Sequence, residues 1–330
     1  MGRVVLVTGV SRDLASRVAL QLAERAATGS EIEKVVGIDV TPPPGDLGGV
    51  KFVRADIRTP VIGKVMAVEE VDTVLHMGLG PALQGTNVRG GAKEINVIGT
   101  MQLLAACQRI PGVTKLVVQS ASAVYGTSPR DPAMFSETTS ARAGTRSGWP
   151  KDAVEVEGYV RGFARRRPDV IITTLRMANI LSPRVVSPFS RYFESPILPT
   201  VIGYDPRLQF THELDAMALL GEAVVRDRPG IFNVAGDGVM LLSQIARRLG
   251  KPTLPLPLFG LSSAFRRVLR SLGTDVPPEL ARLLTYGRVL DTSALAEVFG
   301  YTMSHSTEET FDDFAKSLRP GILAKLGGGR

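Results

Sequence analysis

Val4-Val5-Leu6-Val7-Thr8-Gly9-Val10-Ser11-Arg12-Asp13-Leu14-Ala15 decides how the first third of this chain folds. Its aliphatic residues run without a polar break into Thr8-Gly9, which reads as a fully buried strand (Arg3–Val7) entering a turn. Leu14–Ala26 then carries helical periodicity. Working outward, Lys34–Val40, Val50–Arg54, Thr73–Met77, Lys115–Ser120 and Val170–Arg176 read as further strands. Ile95–Gln108 and Pro150–Arg166 read as helices, the second with proline in its first turn, where a missing N–H does no harm. Strands alternating with helices imply crossover connections and a parallel sheet, an α/β fold.

After Arg176 the rhythm breaks. Residues 182–208 and 252–263 are rich in proline or serine and read as irregular. Between them lie a helix at Glu213–Val225, a strand at Gly230–Val234 and a helix at Leu242–Leu249. The expected organisation is an α/β domain over residues 1–178, which also receives about 209–239. A smaller lobe takes 179–208 and 240–330. A chain of 330 residues suits two such units.

Composition narrows the chemistry. Hydrophobic residues make up 44% and charged residues 22%, enough to build a core. One cysteine (Cys107) and three histidines (His76, His212, His305) make neither an internal disulfide nor a short metal-binding cluster, so no metal is expected. The net charge of +7 is spread along the chain rather than gathered in a stripe, which argues against nucleic acid and for a mild preference for anionic ligands. No apolar run approaches the ~18 residues of a membrane span, and none reads as a signal peptide, so the expectation is a cytoplasmic protein. No nucleophile elbow, P-loop or HExxH motif occurs.

Several short segments then fall in family order. Thr8–Ala15 resembles the T-G-x-x-G-x-x-G turn, with Arg12 and Ala15 in the second and third glycine places. Gly37-Ile38-Asp39 closes the second strand, Asp56-Ile57-Arg58 the third and His76-Met77-Gly78 the fourth. Asn96-Val97-Ile98-Gly99-Thr100, Ser120-Ala121-Ser122-Ala123-Val124-Tyr125-Gly126, Leu175-Arg176-Met177-Ala178-Asn179 and Gln209–Asp215 follow. Together they resemble the extended short-chain dehydrogenase/reductase family, in its NAD-dependent epimerase/dehydratase branch. The wording near Thr73–His76 and Tyr159–Asp169 is similar to an actinobacterial UDP-glucose 4-epimerase-like subgroup.

The resemblance implies a Rossmann-type doubly wound sheet with a smaller C-terminal substrate lobe. It implies NAD rather than NADP, because Asp39 can accept the ribose hydroxyls. The cofactor contacts it points to are Gly9, Ser11, Arg12, Leu14, Asp39, Asp56, Ile57, Met77, Gly78 and Asn96. Arg12 has two readings: it pairs with a pyrophosphate oxygen, or it folds back and weakens binding. A nucleotide-sugar-like ligand is implied, with Asn179, Arg176 and Arg288 as candidate contacts, and so is a homodimer through 91–109 and 150–166.

The family's proton-transfer set is where this chain departs. A tyrosine exchanges the proton, a lysine four residues on lowers the tyrosine pKa, and a serine holds the reacting oxygen. No tyrosine here has lysine at +4. The family pattern lays Trp149 in the tyrosine slot, Ala153 in the lysine slot and Ala121 in the serine slot. Indole does not shuttle a proton near neutral pH, and alanine neither holds ribose nor shifts a pKa. Ser120, Ser122 and Tyr125 remain as weak substitutes. Three functions follow: an epimerase/dehydratase-like NAD(H) protein with impaired standard catalysis, a non-catalytic nucleotide-responsive binding protein, or an atypical oxidoreductase using another acid.

Overall fold

The computed structural model describes residues 2–29, 31–43, 45–77, 79–80, 93–141, 148–184, 186–257 and 276–318. Gly78 therefore lies outside the described residues.

The strands are β1 (Arg3–Thr8), β2 (Ile32–Asp39), β3 (Lys51–Arg54), β4 (Thr73–His76), β5 (Lys115–Ala121), β6 (Ile171–Met177), β7 (Asn179–Leu181), β8 (Leu198–Val201), β9 (Arg207–Leu208), β10 (Phe210–His212), β11 (Gly230–Val234), β12 (Met240–Leu241) and β13 (Thr253–Leu256). The α-helices are α1 (Asp13–Ala27), α2 (Val61–Val68), α3 (Thr100–Arg109), α4 (Trp149–Arg166), α5 (Pro188–Glu194), α6 (Glu213–Val225), α7 (Leu242–Leu249), α8 (Pro278–Tyr286) and α9 (Thr307–Lys316).

Seven strands form one parallel sheet in the order β11-β6-β5-β4-β1-β2-β3. Both faces are covered, and the two-residue side-chain period sorts each strand between them. Val5, Val7, Leu75 and Val117 point to the face packed by α1 and α6. Leu6, Val74, Leu116 and Val118 point to the other, with Leu103 and Cys107 of α3 and Val156, Val160 and Phe163 of α4. Strand order reverses between β1 and β4, so a crevice opens above their carboxyl ends, where doubly wound sheets bind ligands.

A separate aromatic core joins Phe189, Tyr192 and Phe193 to Phe210, Phe311 and Phe314. Its helices differ from the irregular reading of 182–208. Pro188 and Ser187 mark a helix start: the Ser187 hydroxyl accepts the Ser190 N–H, the Ser190 side chain caps in return, and proline occupies the first turn. Within 252–263, Thr253–Leu256 is a strand paired with β8, its one proline, Pro255, tolerated because the pairing is two-stranded and this strand is largely exposed.

The expected helix at Ile95 opens as a π-helical turn, Glu94–Gly99, before α3. A Cβ at Gly99 would sit 2.6 Å from the Ile57 side chain, so glycine lets this helix rest on the Asp56–Arg58 loop.

Candidate active site

At the crevice, Gly9 turns the chain at φ +79° and its N–H donates to the Ile38 carbonyl (3.0 Å), tying the phosphate turn to β2. Ser11 faces the same strand end. Its N–H (3.0 Å) and hydroxyl (2.6 Å) both donate to one Asp39 oxygen. The other Asp39 oxygen accepts the Val40 N–H (2.7 Å). Asp39 is only half-buried, so the carboxylate stays open to a further donor. Leu14 is half-buried against the sheet core. Asp56 is chelated by Arg58 through Nε (3.0 Å) and Nη2 (2.7 Å), which holds its carboxyl below the usual range.

Arg12 precedes α1 without capping it. Its Nη1 lies 2.2 Å from where a Cβ on Gly80 would be, so the guanidinium lies against the backbone after β4. Burial pushes its pKa down and Asp39 partly restores it, yet no carboxylate among the described residues forms an ion pair with it. A cation thus stands between the two loops that flank the crevice.

Beneath Met77, which is buried, a polar chain crosses the site. The Met77 N–H donates to Thr8 Oγ1 (3.1 Å), which lies 2.8 Å from His76 Nδ1. His76 Nε2 lies 2.8 Å from Thr100 Oγ1, whose own hydrogen goes to the Asn96 carbonyl (2.5 Å). Because Thr100 donates to Asn96, His76 donates from Nε2, and the neutral ring accepts the Thr8 hydroxyl at Nδ1. Burial, then the Arg12 charge, pushes its pKa down to about 4.

With the folded value below the unfolded one, stability is full above pH ~6.5 and falls on acidification. A decline of roughly 3 kcal/mol towards pH 4 follows from this group, and His76→Gln should flatten it in urea titrations across that range.

Asn96 Nδ2 donates to the Gly80 carbonyl (3.0 Å) and to Asp152 Oδ2 (3.4 Å) in the first turn of α4. Burial raises the Asp152 pKa. Sequence reasoning did not single out Asp152. What it missed is a buried carboxyl at the crevice, which no spacing rule flags.

The proton-transfer slots are apolar. Ala153 is fully buried with Val124, Tyr125, Phe135 and Leu290, and Trp149 packs half-buried against that cluster and the sheet core.

Three candidates have buried polar partners in the structure. Ser120 is buried and donates to Glu157 Oε1 (2.7 Å). Tyr125 donates to Asn233 Oδ1 (2.7 Å), accepts from Arg176 Nη1 (2.9 Å), stacks on Phe135 at 4.9 Å, and burial raises its pKa. Arg176 forks onto Glu157 through Nε (3.0 Å) and Nη2 (2.6 Å), with both side chains inside. These groups brace the fold because their polar atoms already have buried partners.

Ser122, Asn179 and Arg288 sit differently. Arg288 donates to the Gly126 carbonyl from Nε (3.2 Å) and Nη2 (2.9 Å), and from Nη1 to Ser122 Oγ (3.3 Å). It has no carboxylate ion pair among the described residues, and burial pushes its pKa down to about 10. Asn179 is half-buried, and its side chain has no hydrogen-bond partner among the described residues. Arg288 and Ser122 therefore make one cationic, hydrogen-bonded wall.

His212 accepts the Leu214 N–H (3.2 Å) as the cap of α6 and stacks on His305 at 3.9 Å, a structural role. Among the described residues no group of three or more His, Cys, Asp or Glu could hold a metal, and no helix is long and apolar enough to cross a membrane.

Comparison with known proteins places this geometry. The model of the NAD dependent epimerase/dehydratase family matches residues 5–203. Uncharacterized protein Rv0501 of Mycobacterium tuberculosis (strain ATCC 25618 / H37Rv) is 41% identical over 326 residues, covering 97% of this chain and 86% of that protein. Among solved structures, MoeE5 in complex with UDP-glucose and NAD superposes with TM-score 0.70 at 20% identity, covering 96% of this chain and 98% of that one. UDP-glucose 4-epimerase of Thermotoga maritima with UDP-glucose gives 0.68 at 17% identity, covering 95% and 98%. dTDP-glucose 4,6-dehydratase of Bacillus anthracis in complex with NAD gives 0.68 at 15% identity, covering 96% of each chain.

Proposed function

The chain belongs to the NAD dependent epimerase/dehydratase family, and on that premise we propose that it binds NAD and a nucleotide-sugar-like ligand while lacking the family's proton-transfer set. The observation that carries the cofactor reading is the Ser11–Asp39 pair beside the Gly9 turn. It presents a carboxylate where a dinucleotide ribose would offer its hydroxyls, with unpaired Arg12 and the start of α1 beside it for the pyrophosphate. We assign Leu14, Ile57, Met77 and Asn96 to the same cofactor site, with Asp56 at its adenine end, its carboxylate already held by Arg58. When bound, the nicotinamide accepts or returns a hydride.

Asp39 opposes a 2′-phosphate, so NADP should bind at least tenfold more weakly than NAD. On the other side, Arg288 and Ser122 would receive a diphosphate and Asn179 a sugar hydroxyl. Calorimetry with NAD, NADP and UDP-glucose tests both halves. Asp39→Ala is expected to weaken NAD about tenfold or more, by removing a charge-assisted pair of hydrogen bonds worth about 1.5–3 kcal/mol. Arg12→Ala weakens NAD if the guanidinium meets the pyrophosphate and tightens it if Arg12 obstructs; loss is the expected result.

Ile98, Met101 and Tyr159 are exposed on the π-helical turn, α3 and α4, which supports a homodimer through that face, to be checked by sedimentation. A cytoplasmic setting completes the proposal. The buried posts of Ser120 and Tyr125 favour ligand binding over an unusual proton donor drawn from them.

A further inference from the structure

Resting on the dinucleotide site just proposed, we infer that Asp152 gives the nicotinamide half of the crevice a negative charge, so that the protein selects NAD⁺ over NADH. In a doubly wound sheet the adenosine lies over the strands on one side of the reversal and the second nucleotide over the other. Asp39 and Asp56 mark the adenosine side, at the ends of β2 and β3. The second half therefore lies above β4 and β5, where α4 begins.

Asp152 stands in the first turn of α4, facing the π-helical turn. Its Oδ2 accepts a long hydrogen bond from Asn96 (3.4 Å). Its Oδ1 has no hydrogen-bond partner among the described residues and keeps some solvent access. Asn96 also holds Gly80, the residue on which Arg12 lies. Around one glycine, then, a cation stands on the phosphate side and a carboxyl on the nicotinamide side.

The two redox forms differ by one charge at the ring. The NAD⁺ ring carries +1, and the NADH ring, having gained a hydride, is neutral. A nearby carboxylate favours the first form; a cation in the place of Ala153 would favour the second. The other charges around Asp152 are Lys93, Lys151 and Glu155. Lys151 is engaged by Glu155 at 3.6 Å, and Lys93 is exposed to screening solvent. Burial holds the Asp152 pKa above its ordinary range, so selection should strengthen as pH rises and the group ionises.

Separate titrations of the full chain with NAD⁺ and NADH from pH 5 to 8, followed by calorimetry, test this. The expected result is NAD⁺ bound about tenfold tighter at pH 8, with the ratio shrinking towards pH 5. Asp152→Asn should bring the pH 8 ratio near one by weakening NAD⁺ alone. A purely structural Asp152 would weaken both forms together, which overturns the inference. Equal, pH-independent binding of both forms by the unmodified protein also overturns it, whether or not the variant folds, and leaves the dinucleotide site standing. Binding of neither form overturns the dinucleotide site and the inference with it.

Discussion

Glu157→Gln is expected to destabilise the protein by about 3–5 kcal/mol, measured as a shift in the urea midpoint at unchanged m-value. Glu157 meets the Arg176 guanidinium through both oxygens and accepts the Ser120 hydroxyl, all inside the fold. Removing one charge leaves the guanidinium buried without its counter-ion, and water has no easy route to replace it. The damage should spread, because Arg176 also donates to Tyr125, which holds Asn233, which in turn donates to the Phe135 and Asp291 carbonyls. Arg176→Met removes the other partner and should cost less when combined with Glu157→Leu than alone, since the pair then disappears together. NAD affinity of the folded fraction should stay within a few-fold, which separates a brace from a ligand contact.

Turnover is the second large expectation. With UDP-glucose or UDP-galactose the unmodified protein should run about 10²–10⁴-fold below an epimerase that has its general acid–base group. The Trp149 indole has no titrating proton near neutral pH, and Ala153 is sealed among apolar side chains. A coupled assay against Thermotoga maritima UDP-glucose 4-epimerase sets the scale, and turnover comparable to that enzyme would sink the reading. Trp149→Tyr with Ala153→Lys approaches the same point from the other side. Raised turnover in that double variant, with NAD affinity retained, would show that only the proton path was missing.

How much of this was legible depends on the reach of each interaction. Strands with a short aliphatic run at their centre announce themselves, so β1, β2, β4 and β5 were readable to within two residues. Glu213–Val225 and Gly230–Val234 matched at both ends, one with His212 as its cap and the other following a proline. Leu242–Leu249 also matched at both ends, but the other short lobe elements were not readable, because proline and serine mark helix starts as well as loops. Pro188 and the Ser187–Ser190 box belong to the first kind. Helix α9 carried an open signal, Ser306 reaching the Glu309 N–H at 3.1 Å with Glu309 answering, and the rhythm-based reading passed over it.

At the site, the phosphate turn and Asp39 follow from local order. The posts of Tyr125 and Arg176 do not: their partners Asn233 and Glu157 lie 108 and 19 residues away, and only the assembled sheet brings them together.

The stitching of Phe135 to Leu290 has a consequence for how the molecule is made. Phe135 donates to the Val289 carbonyl (2.8 Å) and accepts from the Asp291 N–H (2.8 Å), while Arg288 reaches back to Gly126. On the ribosome the seven-stranded sheet has all its strands once Val234 has emerged. The loop around Phe135 must then wait for more than fifty further residues before its last partner is synthesised. A nascent chain therefore acquires its dinucleotide turn early and its Arg288 wall late. Ribosome-stalled chains ending near residue 260 should show the first without the second.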